Sequence, residues 1–173
     1  KVKIKLPVSG WVLLVLFLGT IIMSQSLFNL GGVSIGAVVG NPAVIGTVFS
    51  LFSVGEIASA VLFGPAYKFL SAYTIPVFWI IGLVGYVLWF VAHATGNVVL
   101  FYVAIILAGF GTNTMTVGVP MLLSTFVAPA IVGAVMGFSY VFQNGGGFLA
   151  SPIDQVVLSI AGTDAILSSV WIF

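Results

Sequence analysis

Residues 44–77 read VIGTVFSLFSVGEIASAVLFGPAYKFLSAYTIPV. The run from Ala43 to Phe63 carries one charge, Glu56, and is otherwise apolar, small or hydroxylated. A helix needs about 20 mostly apolar residues to cross a bilayer core. Gly64-Pro65 and Lys68 then read as a loop, and a fresh apolar run opens at Ile75. The stretch predicts one membrane span, a short basic loop and the start of the next span.

The rest of the chain has the same character. Of 173 residues, 61% are hydrophobic and 4% are charged. Soluble domains carry roughly a quarter charged residues, because water must solvate their surface. Here the solvent is expected to be lipid. The charges are Lys1, Lys3, Lys5, Lys68, Glu56, Asp154 and Asp164, with His93 as the one histidine. There is no cysteine, so disulfides and thiolate metal sites are excluded. A single histidine builds no His-based metal site, and neither a metal nor a cofactor is expected. A net charge of +1 gives no basic patch, so nucleic acid is not an expected partner.

Glycine, proline and polar breaks divide the chain into five apolar runs and an incomplete sixth. They cover about Trp11 to Ser34, Ala43 to Phe63, Ile75 to Ala92, Val98 to Leu123, and Ala128 to Ala150. Ser151-Pro152 breaks or kinks the fifth, and Asp154 to Gly162 is an amphipathic continuation. The sixth starts near Asp164 and has only about ten residues. Open strands are forbidden in lipid, and the runs lack barrel alternation, so every span should be helical. The fold class expected is all-α, a polytopic bundle of about six spans with the last truncated, forming one domain over residues 1–173. With no initiator Met and an apolar end at Trp171-Ile172-Phe173, we expect a segment of a longer polypeptide.

Lysines orient such a bundle, because positive loops stay cytoplasmic. Lys1, Lys3 and Lys5 precede the first run, and Lys68 lies between the second and third. All four fall on one side. Asp154, His93 and Asp164 then fall on the outer side, His93 as a solvated turn residue and Asp164 as a helix cap competing with Thr163. The expected location is the plasma (inner) membrane, with the bilayer as the main surrounding partner.

Polar side chains at membrane depth usually face protein or a water-filled cavity. Gln25 and Asn29 in the first run are four apart, hence on one helix face. Glu56 lies halfway along the second. The fourth carries Thr112, Asn113, Thr114 and Thr116, and the fifth Gln143 and Asn144. The third has no amide or charge from Trp79 to Val91 and reads as lipid-facing. Two readings of Glu56 stand: a group that couples transport to protons or touches solute, and a glutamate held for structure alone. Interhelical hydrogen bonding is likewise the rival to solute binding for Gln25, Asn29, Asn113, Gln143 and Asn144. Gly32, Gly36 and Gly40, and Gly133 with Gly137, have the spacing that lets helices approach closely. Gly145-Gly146-Gly147 suits tight packing or bending.

The run of residues 44–77, with its glycine-ended span and basic loop, resembles one half of a Major Facilitator Superfamily transporter. A second stretch is similar too: AGFGTNTMTVGVPMLLSTFVAPAIVGAVMGFSYVFQNGGGFLASPI, residues 108–153. The opening KVKIKLPVSGW resembles the end of that family's central loop, which favours the C-terminal half. The loop around Lys68 lacks the acid and further arginines of the family pattern. The resemblance implies six helices, the first and fourth lining a central cavity, the second and fifth flanking it, and the third and sixth outside. It implies Gln25, Asn29 and Asn113 in the cavity wall and Glu56, Gln143 and Asn144 at its flank, with Thr116 beside them. The implied function is secondary active transport of a small solute by alternating access, with the missing half as partner; Glu56 is the proton-coupling candidate on its mid-helix depth alone.

Asn41-Pro42-Ala43 invites an aquaporin-like channel reading. There is one copy and no arginine, and Asn-Pro more simply starts a helix, since proline suits its first position. A non-transporting membrane partner is the third possibility. Enzyme chemistry is not expected: metalloprotease ligands are missing, and no base is positioned beside a serine.

Overall fold

The computed structural model describes residues 6–167, with side chains described to residue 160. These residues form five long α-helices: α1 (Val8–Val39), α2 (Pro42–Leu70), α3 (Thr74–Thr95), α4 (Val98–Thr125) and α5 (Val132–Leu167). Among the described residues there is no strand. Three helical stretches are long and apolar enough to cross a membrane: Val8–Val39, Pro42–Thr95 with its internal turn, and Val98–Thr125.

The connections are short and chemically explicit. Gly40, at φ 65°, closes α1 in the left-handed region that glycine tolerates. Asn41 then caps α2, its Oδ1 accepting from the Ala43 N–H at 3.0 Å, with Pro42 in the first turn. The Asn-Pro-Ala tripeptide is thus a helix start, as its local chemistry predicts. A 3-10 turn, Ser71–Tyr73, joins α2 to α3. Gly96, at φ 67°, ends α3, and Asn97 caps α4 by accepting from Val99 and Leu100. A second 3-10 turn, Pro129–Ile131, leads into α5.

Three sequence expectations need correction. Gly64-Pro65 does not open a loop: α2 runs through both to Leu70, and Lys68 lies exposed in its last turn. There its charge complements the helix dipole. Of the two readings at Ser151-Pro152, the break is overturned and the helical continuation holds: α5 runs through Pro152 to Leu167. A proline removes one N–H but leaves neighbouring turns intact, and packed helices tolerate it. Asp164 therefore lies within continuous helix backbone rather than at a helix start. Its side chain, Lys1, Lys3 and Lys5, and most of the incomplete sixth run lie outside the described residues.

The helices alternate in direction around α4, which packs most extensively on α3 and α2, while α1 pairs with α5. One core cluster gathers Leu27, Ile35, Val48, Phe52, Trp89 and Phe101 toward the Gly40 end. The other gathers Leu14, Phe17, Phe63, Phe78, Val119 and Val135 toward the Lys68 end. α1 and α5 run parallel. Trp11 meets Phe138 edge-on, Gly146 abuts Ile21, and Asp154 bonds Ser26, so partners keep a nearly constant offset along both helices.

In lipid, helices gain little by hiding apolar surface from one another, so close backbone approach must hold them. The glycines that do this are not the regularly spaced sets. A Cβ on Gly82 of α3 would lie 2.6 Å from the Gly111 Cα of α4. Gly55 of α2 and Gly109 of α4 press against the partner backbone at Ile106 and Phe52. Gly133 and Gly137 face open space, and Gly32 and Gly36 make only ordinary contact. Within the triple glycine only Gly146 is tight, its added Cβ 2.8 Å from Ile21. α3 is likewise not wholly lipid-facing. Gly82, Gly85 and Trp89 bury one face on α4, and Trp79 donates from Nε1 to Thr20 of α1 at 3.0 Å. Its other face exposes Val77, Ile80, Val84 and Val87.

Candidate functional site

Four helices leave an open cavity of about 550 Å³ at mid-length. α1 contributes Ser24, Gln25 and Phe28, α2 Phe52 and Glu56, α4 Thr112 and Thr116, and α5 Gln143, Asn144 and Gly147. Gln25 and Glu56 stand near the midpoints of their helices. α3 gives nothing to this wall. Of the seven residues singled out from sequence, Gln25, Glu56, Thr116, Gln143 and Asn144 meet here.

The hydrogen bonding separates groups with spare capacity from groups already engaged. Thr112 and Thr116 donate to carbonyls one turn back in α4, at 3.0 and 3.1 Å. Asn144 donates to Tyr140 O at 2.8 Å, leaving its side-chain oxygen unused. The Glu56 carboxylate and the Gln25 and Gln143 amides have no partner among the described residues. Unspent polar groups facing one concavity are what a polar ligand would engage.

Asn113 and Asn29 are placed differently from the expectation. Asn113 donates from Nδ2 to the backbone carbonyl of Glu56 at 3.0 Å, tying α4 to α2 beneath the cavity wall. Ser59 and Thr114 add a 2.8 Å contact between the same helices. Asn29 turns from the cavity towards α5, donating from Nδ2 to Asp154 Oδ2 at 2.8 Å. Helical geometry explains the split: Asn29 lies about 40° round α1 from Gln25 and about 60° from Ser26, so either neighbour can claim it.

Asp154 is the largest departure from the sequence reading. It is no outer-loop residue. It is 2% exposed, held by Ser26 Oγ at 2.6 Å as well as by Asn29. The sequence reading puts it outside because it follows the fifth run, and the lysines assign that side to the exterior. The signal that finds it is the pair Ser26 and Asn29, an i,i+3 polar stripe on α1 that needs a partner at depth. His93 is not simply solvated either: its Nδ1 lies 2.8 Å from Ser34 Oγ, in the last turn of α3.

Among the described residues no three His, Asp or Glu side chains converge on a point that would hold a metal ion. Comparison with protein-family models, with curated proteins and with solved structures finds no match for this chain.

Proposed function

We propose that this chain is one helical half of a secondary active transporter of the Major Facilitator Superfamily kind, embedded in the plasma membrane with Lys68 and the amino-terminal lysines cytoplasmic. The observation that carries this reading is the convergence of α1, α2, α4 and α5, without α3, on a mid-length cavity with uncommitted amides and one uncommitted carboxylate. The family resemblance implies the same grouping. An open cavity of this kind is completed by a second bundle, and transport proceeds by rocking the two around a midplane site. The solute is small and polar, matched by Gln25, Gln143 and Asn144. Glu56 couples its movement to protons.

The test is a thermal-stability screen of small polar solutes against the intact protein, followed by counterflow in liposomes. A carrier accelerates exchange of a preloaded solute, whereas a passive pore does not. Glu56→Gln should abolish proton-driven uptake and preserve exchange. Proton-driven uptake that survives Glu56→Gln refutes the coupling role. Absence of any solute response, with no counterflow, refutes transport and favours a non-transporting membrane partner.

A further inference from the structure

Asp154 is the one charged side chain among the described residues that is fully buried, and it does not line the cavity. A carboxyl group this deep usually faces protein or water and marks an ion or proton path. Both oxygens are occupied, Oδ1 by the Ser26 hydroxyl and Oδ2 by the Asn29 amide. Among the described residues no cation offsets it. α1, which faces it, carries no titratable side chain among the described residues. Elsewhere α2 bears Glu56, Tyr67 and Lys68, α3 Tyr86 and His93, α4 Tyr102, and α5 Tyr140, and none bonds to Asp154. The side chain of Asp164 lies outside the described residues.

The partners determine what can bind. An ionised carboxylate only accepts, and here it meets two donors. A protonated carboxyl must donate from one oxygen. Ser26 can receive that bond, because a hydroxyl both donates and accepts, while Asn29 goes on donating to the other oxygen. Both charge states are therefore satisfied without moving α1 from α5. A lysine or arginine in place of Ser26 would allow only the ionised state. A calcium or magnesium ion needs about six or more oxygen ligands, and among the described residues this closed, 2% exposed contact brings together no such set.

We propose that Asp154, Ser26 and Asn29 form a proton-binding site between α1 and α5, separate from Glu56. A hydronium ion gives its proton to Asp154 Oδ1: one O–H bond of the hydronium breaks, one forms on Oδ1, water is left, and the Ser26 hydroxyl turns from donor to acceptor. Ser26 adjoins Gln25 in the chain, so this site and the cavity share one turn of α1. The proposal does not rest on the transport reading, since its readout needs no solute.

The experiment is infrared difference spectroscopy of the full chain in lipid, titrated with pH, in wild type, Glu56→Gln, Asp154→Asn and Ser26→Ala. A carboxylic C=O band should appear as pH falls, persist in Glu56→Gln and vanish in Asp154→Asn. Ser26→Ala removes the hydroxyl that partners both charge states, so the midpoint should move from its wild-type position. Exchanging sodium for potassium should leave the midpoint in place. If Asp154→Asn does not fold, Asp154→Glu must shift the band. The proposal is overturned if no titrating carboxyl band depends on residue 154, if Ser26→Ala leaves the midpoint unmoved, or if sodium displaces it.

Discussion

Asn113 of α4 donates a 3.0 Å hydrogen bond to the main-chain carbonyl of Glu56 on α2. The bond fixes the backbone of the cavity's one carboxylate while leaving that carboxylate unengaged. Asn113 thus holds the main chain at Glu56, whose half-buried side chain has no hydrogen-bond partner among the described residues.

Asn113→Ala should therefore lower stability by about 1 kcal/mol, the size of one interhelical hydrogen bond in a membrane protein. Asn113→Asp should not restore it, because an ionised carboxylate cannot donate. Denaturant titration in detergent micelles measures both. Wild-type stability in Asn113→Ala would remove this bond from the description.

The α3–α4 contact depends on glycine at both sides. Gly82→Ala would push a methyl against the Gly111 backbone and should cost about 1–3 kcal/mol as overpacking. Gly133→Ala and Gly137→Ala meet open space and should be neutral or stabilising by up to about 1 kcal/mol, since alanine favours helix. Thermal unfolding of the four proteins, wild type included, ranks them. Equal losses at all three positions would contradict the packing.

Parallel alignment of α1 and α5 is open to cross-linking, because the chain has no cysteine of its own. Trp11 and Phe138 meet with ring centroids 5.8 Å apart. Cysteines at both should join through a short bifunctional reagent. A cysteine at Val156 lies about 27 Å further along α5 and should not join to position 11. The reverse pattern would make the pair antiparallel.

Several features were legible from local sequence. Asn41-Pro42 announces the start of α2, because caps act within three residues. Mid-helix amides and Glu56 announced a polar interior, because lipid does not solvate them. What escaped depends on tertiary partners. Pro65 and Pro152 look like breaks, yet both sit inside helices. Asp154 finds Ser26 and Asn29 well over a hundred residues away, and no local pattern encodes that distance. Glycine spacing alone misled as well: Gly133 and Gly137 have the four-residue period without a facing helix, whereas Gly82 and Gly111 have the facing helix.

Whether the space around Glu56 is a water-filled path decides the functional reading most directly. Single cysteines at Gln25, Glu56 and Gln143, with Val84 on the outer face of α3 as the lipid control and Asn97 as the loop control, can be exposed to a charged thiol reagent in intact membranes. The cavity positions and Asn97 should react, and Val84 should not. Reaction at Asn97 with none at positions 25, 56 and 143 would contradict a solute path through this bundle.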